Sequence, residues 1–124
     1  MYIEYNPNPK QKIIVGDCVV RAIAKATGMT WKETLLELTE QGIELGDLPN
    51  ANHVWAAYLK KLGFKRYIIP DTCPDCYTIR DFCNDHFKGT YILATGSHAV
   101  TAIDGNYYDA WDSGWETPSY FFTR

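Results

Sequence analysis

Cys18 stands in the stretch GDCVVRAIA, after a glycine and an aspartate and before a largely apolar run. A cysteine attacks only as its thiolate, and the first turn of a helix favours that negative charge. Val20, Ile23 and Ala24 recur at helical spacing and Gly28 is a good stop, which predicts a helix over Asp17 to Thr27 with Cys18 in its first turn. The same position suits an inert buried thiol, because free cysteine is among the residue types most often found inside. Deciding between the two requires a base.

His98 is the candidate base. His53 and His86 fall on predicted helices, whereas His98 heads the strand-like HAVTAI after the turn-forming TGS. Alternation groups His98, Val100 and Ala102 on one face, where small neighbours leave room for another element to approach. A histidine in this role needs a third group to orient it, and the following hairpin offers Asp109 and Asp112. With a three-residue loop, Asp104-Gly105-Asn106, Ile103 pairs with Tyr107 and His98 with Asp112, their Cβ atoms ~5 Å apart. A two-residue Asp104-Gly105 turn instead puts Asp109 opposite Val100, diagonal to His98 at roughly 7–8 Å. The longer loop is preferred here, so Asp112 is the expected partner and Asp109 the alternative.

The elements that must hold these groups come in two blocks. The lead-in YNPNPKQK is extended and turn-rich, because residues before proline avoid the helical region. After the Cys18 helix, TWKE at 30–33 is a capping box that opens a second helix ending at Gly42. A third helix begins near Asn50 or Asn52, one of which is its expected cap, and ends at Gly63. FKRYIIP reads as a strand closed by Pro70, and a fourth helix covers roughly Thr78–Phe87. The last third, TYILAT, HAVTAID, NYYDAW and SYFFT, reads as strands. Helices first and an antiparallel meander last make an α+β chain, expected as one domain over residues 1–124.

Composition narrows the function classes. The 124 residues are 46% hydrophobic with a formal net charge of -3, enough apolar mass for a core and no basic stripe of the kind that binds nucleic acid. The apolar runs are too short to cross a bilayer, and the N-terminus lacks the pattern of a secretory signal. A cytoplasmic protein is therefore expected, with Cys18, Cys73, Cys76 and Cys83 as thiols rather than a disulfide framework.

GDCVVRAIA and HAVTAIDGNYYDAWDSGW together resemble the papain-like cysteine peptidases, in compactness most like the peptidase domains of bacteriocin exporters and small phage or bacterial relatives. In that family a cysteine opens the central helix, a histidine heads a later strand, often as HAV, and an Asn or Asp follows at the end of the next strand. DSGW, Asp112 to Trp115, is similar to the family's NSWG with the tryptophan one place later. The resemblance covers about a third of the chain. It implies a papain-like fold with N-terminal helices packed on a C-terminal antiparallel sheet. It also implies Cys18 as nucleophile, His98 as general base and acid, Asp112 as orienting residue, and Trp115 as a cover over His98 and Asp112.

The family's oxyanion-donating glutamine lies a few residues before the cysteine. Gln11, seven residues upstream of Cys18, is the expected counterpart, with Asn6 or Asn8 as substitutes.

The implied activity is hydrolysis of a peptide or isopeptide bond in a peptide or protein substrate, through a thioester and with no cofactor. Two alternatives stay open: transglutaminase-like or amidase-like acyl transfer through the same thioester, and an inactive papain-like binding module.

Other features are weighed beside this site. CPDCYTIRDFCNDH pairs Cys73 with Cys76 and Cys83 with His86 at zinc-like spacing, but only six residues separate the pairs, and Cys83 falls among core positions with Ile79 and Phe82. Asn50 or Asn52, besides capping, could line a substrate groove opposite the Cys18 helix. Lys60, Lys61, Lys65 and Arg66 read as a solvated helix end.

Overall fold

The computed structural model describes every residue from Met1 to Arg124. Helix α1 (Cys18–Thr27) closes on Gly28 in the left-handed conformation, whose N–H bonds the Ala24 carbonyl. Helix α2 (Trp31–Leu45) starts with the expected reciprocal bonds between Thr30 and Glu33. It runs one turn past its expected end at Gly42 and stops at Gly46, φ 72°. Gly42 is a packing residue rather than a stop: a Cβ there would meet the Asp47 carbonyl oxygen at 2.5 Å.

Helix α3 (Asn52–Lys61) has Ala51 at its cap position, with no side-chain cap. Neither asparagine caps it, and the Asn52 side-chain oxygen Oδ1 accepts instead from the Trp55 indole N–H. Helix α4 (Ile79–Asp85) opens with a second capping box, Thr78 with Asp81.

The strands β1 (Tyr2–Glu4), β2 (Lys65–Ile68), β3 (Thr90–Ala94), β4 (Ala99–Ile103), β5 (Asn106–Asp109) and β6 (Tyr120–Thr123) form one sheet in the order β1-β5-β4-β3-β6-β2. The fold is α+β, but the expected antiparallel sheet is mixed. The three residues just before the lead-in form strand β1, which pairs parallel with β5 through Tyr2↔Tyr107 and Glu4↔Asp109. Parallel partners can be far apart in sequence, so no local turn announces this pairing.

Both faces of the sheet are covered. Val19, Val20 and Ile23 of α1 pack with Leu38, Trp55, Leu59, Ile92, Ala99 and Phe122 on one side. On the other, Ile79, Phe82 and Cys83 of α4 pack with Leu93, Val100, Ala102 and Tyr107. Strand alternation explains the division: Ile92 and Ala94 face the first cluster, and Leu93 faces the second. Thr101 is fully buried against α1 and donates its hydroxyl to the Ala22 carbonyl, which ties β4 to the helix that carries Cys18.

The expectation of four thiols is corrected. Cys73 and Cys76 form a disulfide within their turn, where the Cα atoms are 4.5 Å apart, and Cys18 and Cys83 remain free. No group of three or more metal-ligating side chains is brought together. Cys83 is buried, and the His86 Nδ1–H donates to the Phe82 carbonyl at 2.9 Å. Thiol titration of the denatured, unreduced chain should count two thiols, rising to four after reduction; a count of four before reduction would refute the disulfide.

Candidate active site

Cys18 is the first residue of α1, and Asp17 holds the cap position before it. Aspartate is a strong capping residue, yet Asp17 makes no capping bond. Its carboxylate instead binds the Arg21 guanidinium and accepts from the Trp31 indole N–H at 2.9 Å. The N–H groups of Cys18, Val19 and Val20 therefore have no partner within the protein. Unpaired N–H groups at a helix start favour an anion, here a thiolate or a developing oxyanion.

His98 immediately precedes β4, at the open end of the β4–β5 hairpin. Its Nε2–H donates to Asp109 Oδ2 at 2.6 Å, so Nδ1 is the remaining ring nitrogen. The Cys18 thiol lies beside the His98 side chain and the Ala99 backbone N–H, both of which favour its charged form. Helix α1 and the hairpin end thus bring a thiol, an imidazole and a carboxylate together, the last two hydrogen-bonded to each other.

The electrostatics of the three groups are coupled. Burial pushes the Cys18 thiol up, but the His98 and Ala99 hydrogen bonds and the charges of His98 and Arg21 outweigh it, and the thiol lies below its ordinary range. Burial pulls His98 down, but the Asp109 and Cys18 hydrogen bonds prevail, and the imidazole is pushed up to about 9. Burial raises Asp109, while bonds from His98, Ser113 and the Ala110 N–H hold it below the usual carboxylate range. Lowered acid beside raised base favours the thiolate–imidazolium form of the pair over the neutral one.

The expected partner Asp112 is not at His98. The hairpin register is Ile103↔Asn106, Ala102↔Tyr107 and Thr101↔Tyr108, the shorter of the two loops weighed. Asp104 at φ 50° and Gly105 at φ 82° make the two-residue turn, with both central residues left-handed. Asp109 thereby reaches the histidine. Asp112 lies further along, where it accepts from the Tyr107 hydroxyl and pairs with Arg80 at 2.8 Å. DSGW belongs to this second cluster: a Cβ on Gly114 would meet the Tyr107 hydroxyl at 2.2 Å, so the chain must have glycine there.

Gln11 is also placed elsewhere. Its side-chain amide donates to the carbonyls of Asn6 and Asn8, at 3.3 and 3.0 Å, within its own loop. Asn6 and Asn8 are tied into the same loop by bonds to Lys12, Asn8 and Lys10. Trp115 is 72% exposed and lies under the Arg80 guanidinium, so it does not cover His98. Trp111 does, with its ring centroid 4.8 Å from the imidazole.

Several supporting residues escaped the sequence reading. Arg21 binds Asp17 on one side and Asp109 at 3.2 Å on the other, all three side chains nearly fully buried. Ser113 donates its hydroxyl to Asp109 at 2.6 Å. The signal for Arg21 lay in GDCVVRAIA itself: an arginine amid apolar helix residues, four places after an aspartate, is a pair facing inward.

A cleft of about 250 Å³ opens at Cys18 and His98, walled by Asn50, Asn52 and Trp55 from α3 and its approach, and by the Thr95–Ser97 turn. Asn50 and Asn52 thus line a groove with Cys18, as the alternative to capping had it. A larger pocket of about 540 Å³ lies behind α3, lined by Ala56, Phe64 and Phe122 with a rim of Lys60, Lys65 and Arg66. It holds no thiol, imidazole or carboxylate, whereas Cys18 and His98 both line the smaller cleft. No helix is long and apolar enough to cross a membrane. Comparison with family models, curated proteins and solved structures found no match to this chain.

Proposed function

We propose that this chain is a papain-like cysteine hydrolase that cleaves a peptide or isopeptide bond through a thioester. The observation that carries the reading is Cys18 at a helix start, sharing a cleft with a His98 whose ring is hydrogen-bonded to buried Asp109. In the first half-reaction the Cys18 sulfur bonds to the substrate carbonyl carbon, and His98 gives its proton to the departing amine as the C–N bond breaks. In the second, His98 takes a proton from water, whose oxygen displaces the sulfur and releases the acid. Asp109 keeps the ring oriented and stabilises its charged form throughout.

Acyl transfer to an amine shares the first half-reaction and differs only in the acceptor, so profiling products in water and with added amines separates the two. The substrate is a peptide or protein, consistent with a cleft open to solvent and an acyl-transfer site that needs no cofactor to form the thioester.

Alkylation by iodoacetamide, followed site by site with mass spectrometry, tests the reading. Cys18 should react well below pH 7, because the thiolate persists down to the thiol's lowered pKa. His98→Ala should return its reactivity to that of an ordinary thiol near ~8.5. Cys83, buried and pushed up by that burial, is the internal control and should stay unreactive across the same range. An ordinary titration of Cys18 in the unaltered protein would sink the enzyme reading and leave the binding-module alternative.

A further inference from the structure

A thiol hydrolase needs donors for the oxygen that becomes negative when the carbonyl turns tetrahedral, and one donor is rarely enough. The helix start offers the Cys18 N–H, which has no partner in the protein. Gln11, the sequence's nominee for the other donor, has its amide hydrogens engaged by its own loop.

We propose that the Asn52 side-chain amide is the second oxyanion donor, on the wall of the cleft that Cys18 and His98 share. The proposal rests on the acyl-transfer reading of the site.

Three observations carry it. Asn52 is in the first turn of α3 and lines the cleft together with Cys18 and His98. Its Oδ1 accepts from the Trp55 Nε1–H at 3.2 Å, which fixes which end of the amide is which and leaves Nδ2 with two hydrogens and no partner in the protein. Trp55 is itself held by packing: it is 2% exposed and lies against Tyr120 and Phe122, with ring centroids at 6.2 and 5.3 Å. An amide held this way is pre-oriented, which is what makes an oxyanion donor effective.

The other side-chain donors on the cleft wall are less suited. The Thr95 hydroxyl is engaged with the His98 carbonyl and Glu116, and it accepts from the Ser97 N–H. Neither the Asn50 amide nor the Ser97 hydroxyl has a bond within the protein that orients it.

The test compares two reagents that consume the same thiolate. In iodoacetamide the thiolate displaces iodide at a saturated carbon and builds no oxyanion. p-Nitrophenyl acetate is attacked at its carbonyl, so the sulfur–carbon bond forms through an oxyanion before nitrophenolate leaves. Asn52→Ala should slow acetylation of Cys18 by p-nitrophenyl acetate roughly 10²-fold or more while leaving the rate and pH profile of iodoacetamide alkylation unchanged. Asn52→Asp keeps the acceptor for Trp55, and hence the cleft wall, but replaces the donor by a carboxylate; relative to its own alkylation rate it should acetylate at least as slowly.

Acetylation at the unaltered rate in both variants would overturn the proposal, as would loss of acetylation in Asn50→Ala but not in Asn52→Ala. If Cys18 of the unaltered protein alkylates as an ordinary thiol, the acyl-transfer reading itself has failed and the proposal with it. The alkylation arm therefore tells the two failures apart.

Discussion

Asp109→Asn should slow thioester formation at Cys18 by roughly 10-fold or more, through the lost charge beside the imidazolium, whereas Asp112→Asn should leave it within a few-fold of the unaltered protein. The amide retains the shape of the carboxylate but supplies no charge to stabilise an imidazolium and offers either ring tautomer a partner. Asp109 is also well held: it accepts from His98, Ser113 and Arg21 and is 1% exposed, so the histidine has no other orienting group to adopt. Asp112 is exposed and occupied with Arg80 and Tyr107.

The same substitution should change how stability varies with pH. Although burial opposes it, the Asp109 bond is the largest influence raising His98, and the imidazole lies at about 9. The stabilisation that the charged ring contributes is complete below its unfolded pKa of ~6.5 and is lost as pH rises through about 9. In Asp109→Asn that alkaline loss should move down toward neutrality. Acetylation kinetics and urea midpoints across pH 6–10 measure both effects. Equal losses in the two variants, or a loss confined to Asp112→Asn, would refute the assignment.

Arg21→Met should destabilise the protein by about 3–5 kcal/mol, because removing one partner of a buried ion pair strands the other. Here two carboxylates are stranded. Asp17 would retain the Trp31 indole N–H, and Asp109 would retain His98, Ser113 and the Ala110 N–H, each inside the fold. Methionine preserves much of the aliphatic length, so the loss reports charge rather than a cavity.

The arginine also lowers the Cys18 thiol through its charge, so the alkylation profile should shift to higher pH in whatever fraction stays folded. Urea denaturation at neutral pH gives the stability difference. A loss under 1 kcal/mol would mean that Asp17 and Asp109 reach water or take up protons when the arginine is gone. If the destabilisation is too large to obtain folded protein, Arg21→Lys is the milder test. It retains the charge but cannot fork between two carboxylates, and should fall between the two.

Much of this architecture was legible because local chemistry writes it into short stretches. Thr30 and Glu33 marked the start of α2, Gly28 marked the end of α1, and the position of Cys18 in the first turn followed from helical spacing. The hairpin register was legible too, though it was read wrongly. Asp104-Gly105 is among the residue pairs best suited to a two-residue turn, since both central residues must take positive φ. Giving that preference its weight would have favoured Asp109 over Asp112 from the residues alone.

Other features depend on chain segments meeting across long separations, and no local pattern carries them. Strand β1 joins β5 more than a hundred residues later, and β2 reaches the far edge of the sheet beside β6. Gln11 looked suitable by distance along the chain, but its loop folds onto itself and uses the amide internally. Asn52 looked like a helix cap and is a wall of the cleft, because α3 packs through Trp55 against β6.

The residues alone thus set the kinds of chemistry available and the elements that carry them: a thiol at a helix start, a histidine at a strand head and an acid in the next hairpin strand. Which amides line the cleft with the sulfur was decided by packing. A burial network such as Asp17–Arg21–Asp109 is favourable only once α1, β5 and the loop after it have come together.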